Sequence, residues 1–128
     1  MDKSTILYNA DHAWVRVEHG EATVGLSDFA QTELGEIAYV ELPKVGRTVL
    51  RGETVGAVDS MKSASELFAP LSGMVLRVHE ELLTGDFCGR INSDPLGEGW
   101  LYVLAIADPS EVESLLSPDG YRELLSGA

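Results

Sequence analysis

A small β barrel or sandwich, mainly β with one short inserted helix and C-terminal helices, is the fold class this sequence predicts. Three observations carry it: many short β-prone runs, tight turns marked by Gly and Pro between them, and two helix starts of the Ser/Asp-Pro type near the C-terminal end. The 128 residues fit one domain, 1–128, with a core over about 12–107 and a helical tail over 108–126.

WVRVE (14–18) alternates, HG (19–20) turns and ATVGL (22–26) returns, which reads as a hairpin. SDFAQTELG (27–35) follows as a short helix, capped by Ser27 or Asp28, ended by Gly35, with Phe29 and Leu34 facing inward. IAYVEL (37–42) is a strand stopped by Pro43, and TVL (48–50) and TVGAV (54–58) are β-prone pieces punctuated by Gly46, Gly52 and Gly56. SELFA (65–69) is closed by Pro70, GMVLRVH (73–79) alternates, 80–99 is rich in turn residues, and WLYVLAIA (100–107) reads as a buried strand. TVGAVD (54–59) weakly echoes YVLAIAD (102–108), which does not amount to a repeat. In DPSEVESLL (108–116), Asp108 caps, Pro109 takes the first turn and Glu111 completes a capping box, with Val112, Leu115 and Leu116 on one face. SPDGYRELL (117–125) repeats the device from Ser117 and Pro118 and buries Tyr121, Leu124 and Leu125.

Composition narrows the function. The chain is 45% hydrophobic, and its longest apolar run, LYVLAIA (101–107), is too short to cross a bilayer, so neither disorder nor a membrane span is expected. The start, MDKSTILYN, lacks a secretory pattern, and one cysteine with three scattered histidines argues against a disulfide framework or structural zinc. A reducing cytoplasm and a monomer are the expectations. A net charge of -12 repels nucleic acid and suits transient docking on complementary partners.

Motifs for autonomous catalysis are missing from the sequence: there is no Gly-x-Ser-x-Gly elbow, Walker loop or dinucleotide loop. GEG (97–99) precedes a strand and reads as a turn, while His12 and His79, with no nucleophile nearby in sequence, read as structural or surface residues. The expectation is a non-catalytic protein on which other enzymes act.

One lysine stands out. In DSMKSASELFAPLSG (59–73), Val58 and Leu67 can anchor two strands while Asp59, Ser60, Ser63 and Ser65 keep the connection polar, placing Lys62 exposed at or beside a hairpin tip. An exposed lysine, with an ordinary pKa near about 10.4, is protonated and a poor nucleophile, so it gains chemistry only when another enzyme acylates it. The acylated stem is then a tether based on a rigid turn.

At these residues the chain resembles the glycine-cleavage H-protein family of lipoyl carriers. HAWVRVE (12–18), ATVGLSDFAQTELGEIAYVELPKVG (22–46), GAVDSMKSASELFAPLSG (56–73), INSDPLGEGWL (91–101) and the DPSEVESLL tail are similar to that family in its own order. The resemblance implies a barrel-sandwich hybrid of lipoyl/biotinyl-carrier type and lipoic acid joined to Lys62 as an amide, a two-electron thiol–disulfide carrier. It implies that Lys62 takes aminomethyl from glycine decarboxylase (P-protein), presents it to aminomethyltransferase (T-protein) and is reoxidised by dihydrolipoyl dehydrogenase. It also implies a lipoate-attaching enzyme that reads Asp59, Ser60, Met61 and Glu66 around the lysine. Met61 is shared with biotin carriers, but Ser63 stands where those have a second methionine.

Three departures from the family pattern keep alternatives open. The family commonly reads His-Glu-Trp where this chain has His12-Ala13-Trp14. The family's glutamate belongs to the cleft that shelters the loaded arm, and losing one charge-assisted contact costs on the order of 1–3 kcal/mol. Asp11 or Glu66 is the expected compensation, with Asp11, His12 and Ala13 as the arm-cleft segment. LLTGDFCGRIN (82–92) is about two residues longer than the family's loop and carries Cys88, a buried filler or an auxiliary thiol. DSMK replaces Glu-Ser-Val-Lys, with Asp59 keeping the charge. The alternative carrier reading is therefore an H-like lipoate-binding protein handling sulfur intermediates for a heterodisulfide-reductase-like complex. A third reading, from another class, is an unmodified scaffold module.

Overall fold

The structure is a computed structural model that describes residues 6–83 and 89–126. Strands β1 (Ile6–Tyr8), β2 (Ala13–Glu18) and β3 (Glu21–Leu26) precede helix α1 (Asp28–Leu34). Then come β4 (Ile37–Glu41), β5 (Thr48–Val49), β6 (Thr54–Ser60), β7 (Ala64–Phe68) and β8 (Gly73–Val78). A 3-10 turn (Glu80–Leu83), a short helix α2 (Arg90–Ser93), β9 (Tyr102–Ile106), a second 3-10 segment (Pro109–Ser114) and helix α3 (Pro118–Leu125) complete the chain.

Among the described residues the strands form two antiparallel sheets, β1-β2-β3-β9-β8-β5 and β4-β6-β7. Their inner faces meet: Val15, Val24, Val75 and Leu104 from one pack with Val40, Val58 and Leu67 from the other in one buried cluster. Period-two alternation delivers those residues to one side, and burying each such side chain stabilises by about 1.5–3 kcal/mol. The sheets face each other without closing into a barrel, which is the expected barrel-sandwich hybrid.

The β2–β3 hairpin turns on His19 and Gly20, both at positive φ (53° and 79°), with Glu18 paired to Glu21. Such a two-residue turn matches the right-handed twist of the strands. In β6 a register shift at Gly56 brings the chain so close to β4 that a Cβ there would stand 2.1 Å from the Glu41 carbonyl oxygen. On the outer face of the large sheet, Trp14 lies across Gly25, fully buried beneath residues 95–96, and its indole N–H donates to the Pro95 carbonyl at 2.7 Å.

Several expectations are corrected. Ile6–Tyr8, assigned no element by the sequence, is a strand paired with β2 across six to ten positions; the run is too short to show a period. Phe29 and Leu124 are 37% and 41% exposed rather than inward-facing. Pro109–Ser114 is 3-10 rather than α-helical, with Asp108 capping Ser110 N–H as expected. The capping box does not form, because the Glu111 carboxylate accepts from the Ser72 backbone N–H (2.7 Å) and hydroxyl (3.0 Å). Helix α3 follows its Ser117 cap and buries Tyr121.

Candidate functional site

Lys62 sits exposed in the turn between β6 and β7, where Asp59 pairs with Ala64. Ser60 organises this turn. Its N–H donates to the Ser63 carbonyl at 2.7 Å, and its hydroxyl oxygen accepts from the N–H groups of Lys62 (3.2 Å) and Ser63 (3.0 Å). A short hydroxyl doing the work of a turn is what serine offers at such a position. Met61, 76% exposed, leaves its side chain in solvent while its backbone N–H donates to the Glu36 carbonyl at 3.1 Å, fastening the tip to the α1–β4 junction.

That junction is itself clamped. Asn92 of α2 donates to the Gly35 carbonyl (2.8 Å) and to Gln31 Oε1 (2.9 Å), and its own Oδ1 accepts from Ile37 N–H (2.8 Å). Gly35 ends α1 at φ 81°, and a Cβ built on it would stand 3.4 Å from Lys62 Cε. The lysine stem therefore runs over a residue without a side chain, on a platform held from below by Asn92. Nothing in the local sequence marks Asn92 for this role, since its partners lie 55 and more positions away.

Beside the tip lies a cleft of ≈ 180 Å³. Leu26, Leu67, Leu101 and Tyr102 supply its buried lining, and Asp11, Glu33 and Glu66 bring three exposed carboxylates to it. Glu66 lies on β7, four residues beyond Lys62. The structure thus brings Asp11, His12, Ala13 and Glu66 to one cleft and adds Glu33 of α1, which sequence reasoning missed. Asp59, Ser60 and Met61 stay with the tip. Ala13 is buried at 7% exposure and offers a methyl group to the wall. Cys88 lies outside the described residues.

The cleft's rim is built on unusual backbone. His12 has φ 69°, held because Asn9 Oδ1 accepts from the N–H groups of Asp11 and Ala13. The His12 ring meets the Tyr121 hydroxyl through Nδ1 at 2.8 Å, and that hydroxyl meets the buried Ser27 hydroxyl at 2.7 Å. The C-terminal helix thereby locks the rim to the cap of α1. Burial, and secondarily the nearby Tyr8, push the Tyr121 hydroxyl's pKa up, while its bond to Ser27 pulls the other way. Deeper in, the Tyr102 hydroxyl is the buried side-chain polar atom without a hydrogen-bond partner among the described residues, and desolvation drives its pKa strongly upward.

A sequence profile described as glycine cleavage H-protein matches residues 6–128. The chain belongs to this family. A probable glycine cleavage system H protein of Aeropyrum pernix is 47% identical over 121 residues, covering 94% of this chain and 83% of the relative. The glycine cleavage system H protein of Thermotoga maritima is 46% identical over 116 residues, 91% of this chain and 92% of its own. Among solved structures, a glycine cleavage system H protein of Mycobacterium marinum superposes with TM-score 0.83 at 33% identity, covering 98% of this chain and 99% of its own. Family membership agrees with the two-sheet architecture.

Proposed function

We propose that this member of the H-protein family is a lipoyl carrier of glycine cleavage, with lipoic acid bound as an amide to Lys62. The observation that carries the reading is the pairing of an exposed lysine on a self-closed polar turn with an apolar, acid-rimmed cleft beside it. When bound, the lipoyl group supplies a dithiolane, a two-electron couple that also carries groups. The residues present fit it: Gly35 leaves room for the lysine stem, Leu26, Leu67 and Leu101 offer an apolar lining, and the Tyr102 hydroxyl is a polar atom without a partner among the described residues.

This chain's residues do the holding. Ser60 and the Met61–Glu36 bond fix the base of the arm, and Asp59, Ser60, Met61 and Glu66 present the surface read by the lipoate-attaching enzyme. Asp11, Glu33 and Glu66 favour a positively charged amine at the cleft mouth, taking over the electrostatic work that Ala13 cannot do. In this reading the protein moves aminomethyl and reducing equivalents among P-protein, T-protein and dihydrolipoyl dehydrogenase as a shared substrate rather than a catalyst. It acts as a cytoplasmic monomer.

Ala13 in the cleft wall supports one second reading, a carrier of sulfur intermediates for a heterodisulfide-reductase-like complex. The deciding experiment supplies the protein lipoylated at Lys62, and Lys62→Ala as control, to a glycine decarboxylase and follows exchange of labelled bicarbonate into glycine. Lysine-dependent exchange is the expected result. Its absence from a folded, fully lipoylated sample would overturn the glycine-cleavage assignment in favour of sulfur carriage.

A further inference from the structure

Away from the lysine, the connection between β8 and β9 gathers a second set of chemistry-bearing side chains. His79 closes β8's end of that connection, Glu81 lies in the 3-10 turn beyond it, and Glu98 lies in the turn before β9; one ligand atom from each falls within 4.8 Å of the others. His79 is buried at 5% exposure and stacks on Trp100 with ring centroids 4.3 Å apart and planes 4° from parallel. Its Nδ1 lies 2.7 Å from the Trp100 carbonyl oxygen. A carbonyl only accepts, so Nδ1 carries the proton and donates it. The other ring nitrogen, Nε2, is the atom 3.5 Å from Glu81 Oε1.

A ring nitrogen facing carboxylate oxygens is satisfied by a cation between them, a proton or a metal ion. A histidine oriented through one ring nitrogen by a carbonyl, with the other nitrogen aimed at carboxylates, is the arrangement by which proteins set a metal ligand in advance. Positive charge is at present supplied from one side by Arg90, whose Nη1 lies 3.2 Å from Glu81 Oε1 and 3.1 Å from Glu98 Oε1. The carboxylates are 64% and 66% exposed, and ion pairs so open to water contribute little, so a metal ion can displace the guanidinium from these two glutamates.

We propose that His79, Glu81 and Glu98 bind one divalent transition-metal cation of the zinc type in exchange for Arg90, with water completing its shell. One imidazole and two carboxylates suit such an ion, and the exposed glutamate stems can close the remaining distance to ligand geometry. The ion would tie both ends of the β8–β9 connection together, the connection that also carries Asn92 beneath the lysine platform. This is independent of whether Lys62 is lipoylated.

The test is calorimetric titration of the full chain, first stripped with chelator, with zinc chloride, alongside Glu81→Gln, Glu98→Gln and Arg90→Gln. The wild type is expected to bind one zinc per chain with a change in the His79 Nε2 nitrogen resonance. Each glutamate substitution should weaken binding by at least about tenfold, since even losing a ligand's supporting partner commonly costs that much. Arg90→Gln should bind more tightly because the competing cation is gone. Stoichiometric binding that ignores both glutamate substitutions, or no saturable binding, would overturn the site. Failure of Arg90→Gln to tighten binding would overturn the exchange. The glutamate side chains are exposed, so their substitution leaves the fold intact for the comparison.

Discussion

The hairpin tip that carries Lys62 and the cleft beside it are built in opposite ways. The tip is closed by four consecutive residues: one serine hydroxyl accepts two N–H groups and one backbone bond spans the turn. The cleft draws on β2, β3, α1, β7, β9 and the turn before β2, and its rim is fastened by a histidine–tyrosine–serine chain spanning 109 positions. Local contacts survive the loss of neighbours, whereas the cleft is only as ordered as the packing of every element that lines it. The attachment point is therefore robust and the shelter conditional.

The sharpest way to break the pairing is at the lysine. Lys62→Arg keeps the charge and the turn but removes the amine that can be acylated. Intact mass should show complete loss of lipoylation, while stability by chemical denaturation stays within about 0.5 kcal/mol, as for an ordinary surface substitution. Next in size is Asn92→Ala, which removes three hydrogen bonds under the platform. It should lower stability by roughly 2 kcal/mol and slow lipoylation of Lys62 without abolishing it. An unchanged lipoylation rate in a clearly destabilised variant would show that the tip orders itself without the platform.

Smaller effects sharpen the cleft side. Tyr102→Phe deletes a buried hydroxyl that has no partner among the described residues, so it should raise the unfolding free energy of the unlipoylated protein by roughly 1 kcal/mol. A gain in the bare protein that vanishes in the lipoylated one would assign that hydroxyl to the arm. Smallest is the cap of the tail's first turn. Bonds from the Ser110 hydroxyl and then its N–H hold the Asp108 carboxyl below its ordinary value of 3.8. A depressed folded-state pKa means stability that is present above the unfolded value and lost as pH falls through the folded one. Denaturation midpoints of wild type and Asp108→Ser, where serine still caps, should differ slightly at neutral pH and converge in acid below 3.8.

How far each feature could be read in advance follows the same division. Ser27, Ser117 and Asp108 cap where the sequence says they should, because a cap is an affair of three neighbouring residues. Glu111 does not complete its box, because Ser72, 39 positions away, offers two donors that the local partner cannot match. Phe29 reads as a core residue by spacing and lies at the cleft against the His12 ring instead, their centroids 5.0 Å apart.

The sequence by itself determined the mainly-β fold class, most strand positions, the polar turn that isolates Lys62, and the net charge of -12. These depend on periodicity, turn chemistry and composition, which are properties of neighbouring residues. Only the tertiary structure decided that Asp11, Glu33 and Glu66 share one cleft, that Asn92 underlies the lysine platform, that the Tyr102 hydroxyl finds no partner among the described residues, and that His79 faces Glu81 and Glu98. Each of those joins residues through sheet pairing and loop packing, where the geometry is set by the sum of many weak contacts and by no single stretch of chain.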